Sequence, residues 1–101
     1  MEIPILLDAD KASIKLPHHF DRLTQTDFRQ AYTSVMADLA IKIIEVDFTA
    51  VEYIDSSALG SLLLLRQHAE KSARTITIIE CQPAVMKTLT VANFHRIFDI
   101  H

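Results

Sequence analysis

Hydrophobic and polar residues alternate with two different periods along the chain, and their order predicts its secondary structure. Ala12 to Leu16 alternates apolar and polar residues, which indicates a half-buried strand. Ile3 to Leu7 is an apolar segment before it, and Asp8 to Lys11 between them has the composition of a hairpin turn. From Thr26 onward, apolar residues recur at intervals of three and four, which predicts an amphipathic helix.

Strand and helix patterns continue to alternate through the rest of the chain. Lys42 to Phe48 is apolar enough to predict a strand buried on both faces. Asp55 to Ser57 offers N-cap chemistry for a second helix, and Thr75 to Cys81 predicts another β-branched strand. Pro83 suits the first turn of a third helix, and Ile97 to Ile100 is compatible with a last short strand or an edge segment.

This order of elements predicts an α/β fold. An initial hairpin is followed by helices that connect parallel strands, which gives a mixed sheet of four to five strands with three to four helices. The length of 101 residues suits one hydrophobic core, so we expect a single domain over residues 1–101. The charged residues from Arg66 to Arg74 are predicted to form the solvated side of the second helix.

Charge and hydropathy exclude several classes of partner. The formal net charge is -3 and basic residues do not cluster, so we expect no nucleic-acid partner. The apolar run Leu62 to Leu65 is far shorter than the roughly 20 residues of a membrane span. The first residues lack the features of a secretory signal, and the lone Cys81 suits a reducing compartment. We therefore expect a cytoplasmic protein without membrane insertion, with Cys81 packed as a small hydrophobe.

The composition includes a single glycine, Gly60, where average usage would give about seven. A glycine-rich nucleotide-binding loop needs several glycines at fixed spacing, so we expect no nucleotide or other cofactor. The five histidines lack metal-ligand spacing, so we expect no metal. Gly60 falls early in the second predicted helix, where glycine costs about 1 kcal/mol relative to alanine. We interpret it as a position that requires a bare backbone.

The residues best placed for chemistry are Asp55, Ser56 and Ser57, at a strand-to-helix junction of the kind where α/β sheets present their binding crevices. The simplest interpretation is a helix cap that contributes about 1 kcal/mol. A phosphate on Ser56 or Ser57 would also be tolerated there, because a helix N-terminus favours an anion. Beside Asp55 it would build a like-charge cluster that can switch off an interface without unfolding the domain.

The run from Ile54 to Gly60, I-D-S-S-A-L-G, resembles the D-S-S-G-L-G signature of STAS domains in the anti-sigma factor antagonist family. Gln82 to Val85 resembles the S-P-A-V helix start of that family, and the resemblance continues through Phe94 to Phe98. It covers nearly the whole chain, from Ile3 to Ile100.

The resemblance implies a non-enzymatic switch in which Ser56 is the phosphorylation site, with Ser57 as a secondary candidate. An anti-sigma factor of the serine kinase type adds the phosphate and a PP2C-type phosphatase removes it. The unphosphorylated form binds the anti-sigma factor or a related regulator and frees the sigma factor.

The resemblance also implies a binding neighbourhood around the serine, and the chain departs from the family pattern at two places in it. An acidic residue after the second strand, in a G-E-L-D type motif, corresponds to Asp21, but His18 replaces the glycine of that motif. We expect Asp21 to lie near Ser56. Ala58 stands where glycine is common in the signature, which suits a helix. The neighbourhood comprises Asp21, Asp55, Ser57, Ala58, Leu59 and Gly60.

The sequence offers three alternative functions. A serine hydrolase elbow needs glycines where Ile54 and Ala58 stand. A phospho-aspartate receiver would use the acidic end of Ile5 to Asp10, but it needs a helix where Ala12 to Leu16 predicts a strand. A STAS scaffold or transporter-associated subunit would use the same fold without reversible phosphorylation. The sequence is compatible with a monomer or a dimer.

Overall fold

The chain begins with a β-hairpin that forms one edge of the main sheet. The computed structural model describes residues 2–101. Strand β1 (Ile5–Asp8) pairs antiparallel with β2 (Lys11–Lys15), so that Ile5 lies opposite Ile14. Ala9 in the connecting turn has a φ of 55°, as expected for a short hairpin turn that twists with its strands.

After the hairpin, the chain forms helix α1 (Gln25–Met36), strand β4 (Ile43–Asp47), helix α2 (Ser56–Lys71), strand β6 (Thr75–Ile79), helix α3 (Pro83–Val91) and strand β7 (Asp99–Ile100). The main sheet has five strands in the order β1-β2-β4-β6-β7, and all pairs after the hairpin are parallel. Each helix connects neighbouring parallel strands in the same direction along the sheet. Because such crossovers are right-handed, the three helices cover the same face.

The core lies between this face of the sheet and the helices. The sheet contributes Ala12, Ile14, Ile44, Val46 and Ile78, all fully buried. The helices contribute buried side chains at helical spacing, including Phe28, Ala31, Tyr32, Val35, Ala58, Leu62, Leu65, Val85 and Leu89. The α/β fold with its mixed sheet and three helices is as predicted from the sequence.

Strand β4 differs from the prediction that it is buried on both faces. Ile44 and Val46 face the helices and are fully buried, but Ile43 and Glu45 on the other face are half-buried. Within residues 2–101, no helix covers that second face. Glu45 instead forms an ion pair with Lys11 of β2, at 3.5 Å.

A second, two-stranded sheet was not predicted from the sequence. Strand β3 (His19–Phe20) pairs in parallel with β5 (Tyr53–Ile54), and Phe20 and Ile54 face the core. A 3₁₀ turn at Arg22–Thr24 follows β3, and α2 follows β5. The small sheet therefore brings Asp21 and Asp55, the residues after its two strands, to the same end of the molecule.

The first elements of the chain are not those of a phospho-aspartate receiver. Asp10 is followed directly by strand β2, which leaves no room for the helix that a phospho-aspartate receiver has at that point. Among the described residues, no helix has both the length and the apolar character needed to span a membrane.

Candidate functional site

Helix α2 begins at Ser56 and is capped by Asp55. Asp55 has extended backbone, and its Oδ1 accepts a hydrogen bond from the backbone N–H of Ala58 at 2.9 Å. The capping interpretation of the sequence is therefore right for Asp55. It leaves the hydroxyl of Ser56, an exposed residue, outside the cap, while Ser57 is half-buried in the first turn.

The second oxygen of Asp55 connects α2 to the segment after β3. Its Oδ2 accepts a hydrogen bond from the backbone N–H of Arg22 at 3.0 Å. Each oxygen of this carboxylate thus binds one backbone N–H, from two segments far apart in sequence. The arrangement fixes the start of α2 against the 3₁₀ turn.

Asp21 caps the 3₁₀ turn in the same way that Asp55 caps α2. Its Oδ1 accepts from the N–H of Leu23 at 3.0 Å, and its own N–H donates to Oγ1 of Thr24 at 3.0 Å, which completes a capping box. The pairing of β3 with β5 brings Asp21 to the end of the molecule where Asp55 and Ser56 lie. Replacement of the family glycine by His18 leaves this placement intact.

One face of α2 runs from Ser56 into exposed apolar surface. Ser56, Gly60, Leu63 and Leu64 are exposed and follow the spacing of neighbouring turns, and we call these four residues the α2 face. Leu62 and Leu65 between them are fully buried. The leucine run therefore serves both the core and an exposed surface.

Two residues of the predicted binding neighbourhood point inward. The Ala58 side chain is fully buried, and Leu59 is half-buried and packs against the core. The side chain of Ala58 cannot contact a partner, contrary to its placement in a binding neighbourhood. Its contribution to the site is the backbone N–H that Asp55 accepts.

Gly60 does not need to be glycine for any reason within the described chain. It lies in α2 without a positive φ, and a Cβ at this position would have no heavy atom within 4 Å. The positions with a left-handed backbone are instead occupied by Ala9, Ala73, Glu80 and Asn93. The described chain therefore gives no reason for the bare backbone that the sequence analysis expects here, and a requirement for it would come from a partner.

Two exposed apolar side chains beside the site were missed by the sequence analysis. Leu23 projects from the 3₁₀ turn next to Arg22, and Tyr53 on β5 is half exposed. The Tyr53 ring meets the His19 ring edge-on, with centroids 5.9 Å apart. Leu23 is the single apolar residue in the polar run from Asp21 to Asp27, which was an available signal. Tyr53 lies in a strand of two residues, which has no measurable period.

A buried carboxylate lies at the carboxyl end of β4. Asp47 accepts hydrogen bonds from Lys15 Nζ at 2.6 Å and from the backbone N–H of Thr49 at 2.8 Å. Burial alone would raise the pKa of Asp47. This effect is outweighed by the hydrogen bonds from Lys15 and Thr49, including one from the Thr49 hydroxyl, and by the positive charge of Lys15. Together they hold the pKa of Asp47 below its usual value. Asp47 is thus ionised at neutral pH and holds β2 and β4 together.

Cys81 is half-buried two residues after the end of β6. Burial raises the pKa of its thiol to about 11, which keeps it protonated at neutral pH. This is the behaviour of a packed hydrophobe, in keeping with the sequence analysis.

Comparison with known proteins gives the family of this chain. Residues 6–99 match the family described as Mlab, STAS domain. A STAS-domain containing protein of Pseudomonas aeruginosa is 39% identical over 93 residues, which are 92% of this chain and 90% of the relative. The chain therefore belongs to the STAS domain family.

Solved structures of distant relatives in sequence have the same fold. An anti-sigma factor antagonist from Mycobacterium paratuberculosis matches with a TM-score of 0.85 and 18% identity, over 98% of this chain and 83% of that one. The Bacillus cell fate determinant SpoIIAA, solved in its phosphorylated form, matches with a TM-score of 0.74 and 16% identity, over 98% and 90% of the two chains. At these identities the likeness concerns the fold.

Proposed function

We propose that this domain is an anti-sigma factor antagonist, a protein-binding switch controlled by phosphorylation of Ser56. In the unphosphorylated state it binds an anti-sigma factor of the serine kinase type, or a related regulator, in the cytoplasm. The observation that carries the proposal is the position of an exposed serine at the start of α2. It follows Asp55, whose carboxylate is fixed by two backbone N–H groups, and it lies one turn before Gly60 on the α2 face.

The unphosphorylated surface is suited to a protein partner. Leu63 and Leu64 are both exposed about one turn beyond Gly60, and Leu23 and Tyr53 lie on the neighbouring segments. Apolar side chains of this kind contribute binding energy when a partner removes them from water. The missing side chain of Gly60 lets a partner backbone approach the helix closely between Ser56 and these leucines.

A phosphate on Ser56 would oppose this binding while leaving the fold intact. It adds a charge of about −1.5 to −2 to a surface where Asp55 and Asp21 already carry negative charge. Covering that charge with an apolar partner costs desolvation and like-charge repulsion. The N-terminus of α2 favours the phosphate, so the helix itself is not disrupted.

The domain supplies the acceptor serine, and its partners supply the enzymes. The single glycine excludes a phosphate-binding loop of its own, so the phosphate comes from ATP held by the kinase partner. A PP2C-type phosphatase returns the domain to its binding state. Ser57 is a secondary acceptor in this scheme, less accessible because it is half-buried.

The direct experiment is incubation of the domain with the kinase-type anti-sigma factor of its own organism and ATP, followed by mass mapping. We expect one phosphate on Ser56, its loss in Ser56→Ala, and its retention in Ser57→Ala. Absence of phosphate from both serines would refute the proposal. Ser56→Asp should bind the partner at least about tenfold more weakly than Ser56→Ala, in line with loss of a central contact.

A scaffold or transporter-associated subunit is the second candidate, because it needs the same fold and the same exposed leucines but no reversible phosphorylation. It predicts equal partner affinity for Ser56→Asp and Ser56→Ala. Affinity capture with the Ser56→Ala form, followed by identification of the bound protein, separates the candidates. A serine kinase in the captured fraction supports the switch, and a transporter component supports the subunit.

A further inference from the structure

Strand β1 leaves an open edge on the main sheet. It pairs with β2 alone, and it is the terminal strand in the order β1-β2-β4-β6-β7. The N–H of Lys15 donates to the C=O of Pro4 at 3.0 Å, so Pro4 belongs to the residues whose backbone points toward β2. Because this direction alternates along an antiparallel strand, the backbone groups of Ile5 and Leu7 point outward from the sheet.

The Ile5–Leu7 part of this edge carries neither of the two residue types that most often block strand pairing. Edge strands are commonly blocked by proline or lysine, but Pro4 falls on the inward register and β1 itself carries no lysine. Leu6 and Leu7 are instead exposed, at 56% and 64%. An open edge with two exposed leucines is a template for another strand.

We propose that a second copy of this chain occupies the edge, with the two β1 strands antiparallel about a two-fold axis at Leu6. In this register Ile5 of each copy lies opposite Leu7 of the other. The outward N–H and C=O groups of both residues are then paired, and the two Leu6 side chains meet on the axis. The two sheets become one continuous sheet, with the helices of both copies on the same side.

The helix side of this interface has a projecting side chain and a matching cavity. Ile5 and Leu7 point to the face covered by helices, because their partners Ile14 and Ala12 are core residues. A cavity of about 220 Å³ beside Ile5 is lined by the apolar residues Ile3, Ile5 and Ala31 and by the polar residues Glu2, Asp27, Gln30 and Ser34. In the proposed register, Leu7 of the second copy lies opposite Ile5 and would enter this cavity. The two-fold axis produces the same contact a second time.

The open side of the sheet has complementary charges in the same register. Pro4 lies opposite Asp8 of the second copy. On one side of this pair stands Lys15 with its partner Asp47, and on the other stands Lys11 of the second copy. Negative and positive charges therefore alternate across the joined strands, and the two Asp8 carboxylates lie at opposite ends of the interface.

The contact is short, which defines the kind of dimer expected. Each copy offers a strand of four residues, so the buried area falls in the class of weak and transient interfaces. Helix α2 connects β4 and β6 and is remote from β1 in the sheet order. The Ser56 hydroxyl of each copy therefore stays accessible in the dimer. The dimer and the proposed function use different surfaces, so each can be tested without the other.

The first test is sedimentation equilibrium of the full chain from low micromolar to millimolar concentrations. We expect a reversible monomer–dimer equilibrium that Leu7→Lys weakens by about tenfold or more, since each dimer contains the substitution twice. Leu39→Lys is the matched control, because Leu39 is 80% exposed outside any strand and should leave the equilibrium unchanged. A wild-type chain that remains monomeric throughout overturns the proposal, as would a dimer that persists unchanged in Leu7→Lys.

Cross-linking tests the register itself, in a Cys81→Ser background. Residues that face each other on the axis in a non-hydrogen-bonded pair have Cα atoms about 4.5 Å apart, which a disulfide can span. Leu6→Cys should form a covalent dimer under mild oxidation much faster than Leu39→Cys. Equal rates for the two variants would refute the proposed axis.

Discussion

The carboxylate of Asp55 accepts a hydrogen bond from the backbone N–H of Arg22 at 3.0 Å, across 33 positions of sequence. The same carboxylate caps α2 through Ala58. One side chain therefore fixes both the start of the helix that carries Ser56 and its distance from the turn that carries Leu23. The geometry of the candidate site depends on this residue more than on the serine itself.

We predict that Asp55→Asn lowers the free energy of unfolding by about 1–2 kcal/mol. An asparagine has a single side-chain oxygen, so it can accept from Ala58 or from Arg22 but cannot satisfy both. Urea unfolding measures the change. Asp38→Asn is the control, since Asp38 Oδ1 accepts from Ala40 alone and asparagine keeps that bond. Equal losses in the two variants would contradict a special role for Asp55.

Gly60→Ala should raise the free energy of unfolding by about 0.5–1 kcal/mol, because alanine is the better helix former and its Cβ meets no neighbour. The same variant should bind the partner more weakly if a partner backbone approaches this point. Thermal unfolding and a binding titration on one protein sample check both effects. A more stable variant with unchanged affinity would show that the glycine has no role in binding.

Much of the fold could be predicted from the sequence because its main elements are long enough to show a period. The hairpin, α1, α2 and β6 each carry a clear pattern of apolar residues. Strands β3 and β5 have two residues each and show no period, so the small sheet that aligns Asp21 with Asp55 was invisible. Strand β4 was predicted to be buried on both faces. Its open second face could not be predicted, because Ile43 on that face is apolar and yet half-buried.

The candidate serine could be found from its motif, whereas its surroundings depend on tertiary contacts. Arg74 illustrates the limit, since the sequence placed it on the solvated side of a helix. It lies beyond the end of α2 and donates to the carbonyl oxygens of Met36, Asp38 and Ile41. These acceptors are more than 30 positions away, and no local pattern predicts such a clamp.

Ala73→Gly should stabilise the domain by about 0.5–1 kcal/mol. Ala73 has a φ of 56° just after α2, where the left-handed backbone suits glycine better than a residue with a Cβ. The control is Ala37→Gly at the end of α1, where the φ of −71° is right-handed and glycine should destabilise. Urea midpoints that move in opposite directions would confirm the prediction, and a loss of stability in Ala73→Gly would contradict it.

The ion pair of Lys15 with Asp47 should make stability depend on pH in the acid range. The pKa of Asp47 is lower in the folded state than the value of about 3.9 for an unfolded chain. A carboxyl group of this kind stabilises the fold above the unfolded pKa, and its contribution is lost as pH falls through the folded pKa. Asp47→Asn should therefore be less stable than wild type near neutral pH, and the difference should shrink progressively below about pH 4. Urea unfolding of both proteins across this range measures it, with Asp10→Asn on the exposed hairpin turn as the control. A difference that stays constant down to the lowest pH would show that Asp47 contributes through shape and not through charge.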